Sequence, residues 1–201
     1  LIRDRAQFEM ERLLETDQDF ANKDQLNKDA KKARAALKET VAKAEGEFVS
    51  YSEFAAIASQ LDDVLQKMQS HGEKQVKQAK DAKKKAIEDS GHLARNTLIN
   101  ECNSKISPME LQSIVDGLSP DFKTAMKNKR TIESLQGAVD DEVAKMKIVA
   151  TEAMARITPN LEYLNKTAAG FEFLFSDIQQ HVNQEPEPFQ AIVKSRIADH
   201  K

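Results

Sequence analysis

Residues 22–48 read NKDQLNKDAKKARAALKETVAKAEGEF and carry the pattern that decides the fold. Their apolar positions follow one another in steps of three or four residues, at Leu26, Ala30, Ala33, Leu37, Val41, Ala44 and Phe48. This spacing places one apolar stripe along a helix, and the alternating steps are typical of a coiled-coil seam. The stretch predicts a long amphipathic helix that begins near Asn22, after a linker at residues 17–22.

A second apolar series follows a reversal of the chain near Gly46. Ser50 and Glu53 have the spacing of a capping box, and a helix is expected from about Tyr51. Its apolar side carries Phe54, Ile57, Leu61, Val64, Leu65 and Met68. The two helices predict an antiparallel hairpin, with bends or stops where glycine occurs, at residues 71–72 and 90–91.

The C-terminal part predicts two short helices followed by a long one. Ser107-Pro108 and Ser119-Pro120 each combine a capping residue with proline at the first helical position. From Thr131 an apolar series keeps helical spacing through Ile132, Leu135, Val139, Val143, Met146, Ala150, Ala153, Ile157, Leu161 and Leu164. Pro159 falls within this series and predicts either a kink or a new helix start.

Composition agrees with an all-α protein. Charged residues make up 31% of the 201 positions and aromatic residues only 5%, a balance that suits long helices better than sheets. We therefore predict an elongated helical hairpin or coiled coil with a third long helix and a small helical cap. The predicted regions are an N-terminal helix at 1–20, the hairpin at 22–105 and a C-terminal helical region at 107–201, and we expect the sequence to begin inside a longer protein.

A cluster of lysines is the strongest electrostatic feature. Six lysines oppose one acidic residue, Asp81, between positions 74 and 85, and they are Lys74, Lys77, Lys80, Lys83, Lys84 and Lys85. One interpretation is contact with nucleic-acid phosphates or an acidic partner protein. The alternative is a solvated helix face, which is favoured by the absence of interleaved arginine or aromatic residues. A second basic run, with Lys28, Lys31, Lys32, Arg34 and Lys38, lies on the preceding helix.

Phenylalanines cluster near the C-terminus, at Phe171, Phe173 and Phe175. Their alternation resembles a strand, but an isolated strand has no neighbour to pair with, so we expect a turn that fills a hydrophobic patch. The simplest interpretation is the core of the C-terminal cap. The alternative is a surface that docks a partner protein.

No catalytic site, metal site or cofactor is predicted. Asp177 and His181 lie one helical turn apart but lack a third ligand, and Cys102 has no histidine near it in sequence. The six glycines are isolated, so no phosphate-binding loop occurs. A single cysteine forms no internal disulfide, which favours a reducing cytoplasm.

Two segments resemble a family of helical proteins of unknown function from tailed phages and prophages. They are residues 127–148, KNKRTIESLQGAVDDEVAKMKI, and residues 171–201, FEFLFSDIQQHVNQEPEPFQAIVKSRIADHK. Genes of this family often lie near those of single-strand-annealing recombinases or exonucleases. The resemblance implies a cytoplasmic protein of an infected bacterial cell and supplies no catalytic residues.

These observations lead to three functional hypotheses. The first is a non-enzymatic accessory or scaffold protein in phage DNA recombination or replication, which forms a dimer and binds a partner protein through helical faces. The second is direct nucleic-acid binding through the lysines. The third is an inhibitor of a host nuclease or defence system, for which the acidic residues Glu9, Glu11, Glu15, Asp17 and Asp19 are the candidate surface.

Overall fold

The computed structural model describes residues 2–44 and 51–200, and it confirms an all-α protein because no strand occurs among them. The α-helices are α1 (Ile2–Glu11), α2 (Asp17–Ala44), α3 (Tyr51–Ile106), α4 (Leu111–Ile114), α5 (Phe122–Ala125), α6 (Ile132–Thr167) and α7 (Pro186–His200). Two 3₁₀ turns, Glu172–Phe175 and Ile178–Gln180, lie between α6 and α7. The chain forms two compact units, Leu1–Lys85 and Ala86–Lys201.

These units divide inside α3, whereas the sequence analysis placed a boundary at 105–107. The physical reason is that the last third of α3 belongs to the core of the second unit. Ile87 packs in one cluster with residues of α5 and α6, and Ile99 and Ile106 pack in a second cluster with α6 and α7.

The start of α2 differs from the prediction. Residues 17–22 were expected to form a linker, but α2 begins at Asp17. Thr16 Oγ1 accepts a hydrogen bond from the Asp19 amide, and the Asp19 carboxylate accepts one from the Thr16 amide, both at 3.1 Å. This reciprocal pair is a capping box that uses aspartate in place of glutamate, and it starts the helix earlier than Asn22.

Within the first unit, α2 and α3 are antiparallel. Asp24 pairs with Lys80 and Arg34 pairs with Asp62, so the partners descend α3 as the chain ascends α2. Ala30 and Met68 are buried between these two contacts. The turn that joins the helices, with the predicted capping serine at position 50, lies outside the described residues.

The short helix α1 is attached to both long helices through its last backbone carbonyls. The donors are Lys23 on α2 and His71 and Gln75 on α3, and the acceptors are the carbonyls of Glu9, Met10 and Arg12. The final carbonyls of a helix have no partner within the helix itself. Side chains from α2 and α3 therefore satisfy these groups.

The helix α3 is continuous from Tyr51 to Ile106, so it does not stop at either glycine. Both glycines are points of close packing instead. A β-carbon at Gly72 would clash with the side chain of Asn27, and one at Gly91 would lie 2.7 Å from Val139 Cγ1 and 2.9 Å from the Phe122 ring. The cost of glycine within a helix is thus offset by close approach of neighbouring elements.

In the second unit, the apolar stripe of α6 is the centre of the core. Val139, Val143, Met146, Ala150, Ala153 and Ile157 are all buried, as the series from Thr131 predicts. Thr131 caps the helix in a reciprocal pair with Ser134. Pro159 lies inside α6, so no new helix starts there.

The two short helices form, but not with the predicted caps. The amide of Leu111 donates to Asn103 Oδ1 at 2.8 Å, so α4 is capped by a residue of α3 and not by Ser107. Asp121 accepts from the Thr124 amide and caps α5 in place of Ser119. In both helices the start lies later than the serine-proline pair indicated, because another side chain is closer to the free amides.

Candidate nucleic-acid interface

The six lysines between residues 74 and 85 lie on α3, in the part that belongs to the first unit. Lys74, Lys77, Lys80, Lys84 and Lys85 are exposed, whereas Lys83 is half-buried. Lys77, Lys80 and Lys84 are spaced by three and four residues and therefore share one side of the helix. We call Lys77, Lys80 and Lys84 the lysine stripe from here on.

Lys80 is held by α2. Its Nζ lies 3.4 Å from Asp24 Oδ2 and 5.5 Å from the centre of the Phe20 ring. Both partners of the ion pair are about half exposed, so the pair contributes little stability. Within the described part of the chain, none of the other five lysines between 74 and 85 forms an ion pair.

In the second basic run, on α2, the arginine bonds to α3 and the lysines are exposed. Arg34 makes two hydrogen bonds to Asp62, at 2.8 and 3.3 Å, and a third to Gln66 at 3.1 Å. The Arg34 guanidinium lowers the pKa of Asp62, and the carboxylate raises the pKa of Arg34. Arg34 therefore joins α2 to α3, while the lysines of the run are exposed, namely Lys28, Lys31, Lys32 and Lys38.

The phenylalanine cluster is split between core and surface. Phe175 is buried among the core residues of the second unit, and Phe171 packs half-buried against them. Phe173 is 63% exposed, and its ring meets that of His200 edge-on at 5.1 Å between ring centres. The expected turn is the 3₁₀ segment Glu172–Phe175, and only Phe173 of the three offers a large free surface.

Asp177 and His181 are in contact, but the Asp177 carboxylate is also bound by an arginine. Arg196 donates to both oxygens of Asp177, at 2.5 and 2.8 Å, and to the carbonyl of Leu174 at 3.0 Å. His181 Nε2 donates to the same carboxylate at 3.2 Å. The Arg196 guanidinium holds the pKa of Asp177 well below its usual range, so this cluster fastens the cap to α7.

Asn160 is a buried structural residue that the sequence analysis did not identify. Its side chain is fully buried, and Nδ2 donates to the carbonyls of Val182 and Gln184 at 2.9 and 2.8 Å. These bonds fix the segment that leads into α7. The only sequence sign is a polar residue directly after Pro159, which by itself indicates nothing about burial.

Other candidate chemistry finds no support in the geometry. Cys102 is buried, and burial raises the pKa of its thiol, which makes a poor nucleophile. Within residues 2–44 and 51–200, no three histidine, cysteine, aspartate or glutamate side chains come together as a metal-binding group. None of the helices described combines the length and the apolar character that crossing a bilayer requires.

No protein-family model, curated protein or solved structure matches this chain. The resemblance of residues 127–148 and 171–201 to a phage family therefore stays a prediction.

Proposed function

We propose that the protein is a non-enzymatic interaction protein that binds the phosphate backbone of DNA through the lysine stripe of α3. The observation that carries this proposal is the exposure of Lys77 and Lys84 on one side of α3 with no carboxylate paired to either among the described residues. Exposed ammonium groups on one side of a helix attract phosphates and release the counterions bound to DNA.

Binding of this kind reads no sequence. Base recognition uses arginine, asparagine or glutamine that reach into a groove, and single strands are bound by stacking on aromatic rings. Between residues 74 and 85 the chain has neither arginine nor an aromatic residue. Of the two glutamines there, Gln75 donates to the Arg12 carbonyl, and Gln78 lies outside the three- and four-residue spacing of the lysine stripe. The proposed role is therefore that of an accessory protein that holds DNA near a recombination or replication enzyme, as the phage resemblance implies.

The acidic residues near the N-terminus do not favour the inhibitor hypothesis. Glu9 is buried, and Asp19 is occupied by Arg12 at 2.8 Å and by Thr16 at 2.7 Å. The bonds from Thr16 lower the pKa of Asp19. Two of the five carboxylates are therefore buried or bonded within the protein. This weakens the case for an inhibitor whose acidic surface mimics a nucleic acid.

Salt dependence of DNA affinity tests the proposal. With three phosphate contacts, one for each lysine of the stripe, the affinity for a short duplex is expected to fall roughly 40-fold between about 50 and 200 mM salt. The measurement is fluorescence anisotropy of labelled duplexes of several sequences, all of which should bind alike. Absence of binding at the lower salt concentration would contradict the proposal, as would an affinity that is insensitive to salt.

We also propose that the chain forms a homodimer through the first unit. Phe54 and Ile57 are 37% and 67% exposed, and with the half-buried Leu61 they share one side of α3. Light scattering is expected to give twice the chain mass of 22.6 kDa. Ile57→Lys should give a monomer. Leu93→Lys changes a similarly exposed side chain of the second unit and should leave the dimer intact. A monomeric wild type would refute the proposal.

A further inference from the structure

The contacts of Arg34 show which side of α3 faces the same way as the lysine stripe. Arg34 bonds to Asp62, Gln66 and Gln69, at positions spaced by four and three residues along α3. The same spacing continues through Glu73 and Lys77 to the rest of the lysine stripe. One straight row of α3 side chains therefore runs from Asp62 to the end of the stripe.

The same contacts orient the lysines of α2. Lys31 and Lys38 lie three and four residues from Arg34, so they share its side of α2 and flank the groove in which it meets Asp62. Lys28 lies one turn after Asp24, which pairs with Lys80, so it also borders the lysine stripe. Lys32 and Lys43 lie two and nine residues from Arg34 and point to other sides of the helix. All five lysines are exposed.

We propose that Lys31 and Lys38 of α2 and the lysine stripe of α3 form one basic face that binds about one turn of double-stranded DNA. The inference rests on the proposed function and extends its site to a second helix. The row from position 62 to position 84 on α3 is about 33 Å long at the rise of an α-helix. A turn of duplex DNA spans about 34–36 Å, so the face matches one turn.

The acidic groups of this face are already occupied or few. Asp62 is neutralised by Arg34, and Asp24 is paired with Lys80. Glu73 accepts a hydrogen bond from Gln69 at 3.0 Å and is the exposed carboxylate that remains in the row. Asp81, four residues after Lys77, is a further exposed carboxylate beside the stripe. Lys31, Lys38, Lys77 and Lys84 outweigh these two carboxylates, and the net charge favours an anionic partner.

The test compares two charge reversals on the same helix. Lys31→Glu with Lys38→Glu removes two phosphate contacts and is expected to weaken duplex binding roughly 60-fold at about 100 mM salt. Lys32→Glu with Lys43→Glu makes the same change in net charge on other sides of α2, and we expect a loss below about 5-fold from the screened long-range field. All four sites are exposed and glutamate is a good helix former, so circular dichroism should show unchanged folding.

The outcomes separate this inference from the proposed function. Equal losses in the two double variants, or no loss in either, would overturn the two-helix face while a loss on mutating the α3 stripe still supports DNA binding. Tighter binding of a poly-thymidine single strand than of the duplex would overturn the assignment to double-stranded DNA. Failure of the wild type to bind any DNA, with capture of an acidic protein instead, would overturn both.

Discussion

Replacing Asn160 with alanine is expected to lower the free energy of unfolding of the second unit by about 3 kcal/mol. The substitution removes the donor that satisfies the carbonyls of Val182 and Gln184, and the segment is too well packed for water to replace it, since Val182 is fully buried. Unpaired buried carbonyls each cost a large part of their desolvation energy. The measurement is urea denaturation followed by circular dichroism, with hydrogen exchange of the α7 amides to assign the loss.

Asn165 is the matched control for this substitution. It lies on the same helix but is exposed, so Asn165→Ala is expected to change stability by less than about 0.5 kcal/mol. If both variants unfold at the same urea concentration as the wild type, the bonds of Asn160 do not hold the segment before α7.

Reversing the charge of the whole lysine stripe, Lys77→Glu with Lys80→Glu and Lys84→Glu, is expected to reduce duplex affinity roughly 500-fold at about 100 mM salt. Three phosphate contacts are lost, and each contributes close to one decade at that salt concentration. The slope of log affinity against log salt concentration should also become shallower by about 2.7, because each lost phosphate contact removes about 0.9. Anisotropy titrations over a salt series measure both quantities.

Arginine substitution at the same three positions provides the control. Arginine keeps the positive charge and is a strong helix former, so affinity should stay within about 3-fold of the wild type. Equal losses in the glutamate and arginine variants would mean that the stripe acts through packing and not through charge. A glutamate variant with wild-type affinity and slope would remove the stripe from the binding site.

The elements that the sequence predicts well are those whose cause is local. The apolar seam of α6 can be predicted because its three- and four-residue spacing lies within one segment. The exposed lysines of residues 74–85 are visible for the same reason. These features need no knowledge of distant neighbours.

The features that sequence reasoning missed depend on contacts between distant segments. Gly72 and Gly91 were expected to interrupt α3, and only Asn27, Val139 and Phe122 explain why they do not. Arg34 was grouped with exposed lysines, although Asp62 holds it. A pattern along one helix cannot identify the partner that another helix supplies.

The two interpretations of the C-terminal phenylalanines show the same limit. Phe171, Phe173 and Phe175 alternate in sequence, and that alternation alone does not distinguish a core from a docking surface. The 3₁₀ turn buries Phe175 and leaves Phe173 exposed, because three residues per turn place neighbouring positions on different sides.

The attachment of α1 determines the order in which the first unit assembles. A helix of ten residues is too short to be stable in isolation, because forming its first turn costs more than its few internal bonds return. Its last carbonyls depend on side chains that only the paired α2 and α3 bring together. Folding of α1 therefore follows the pairing of the long helices, and α1 is the first element to be lost when they separate.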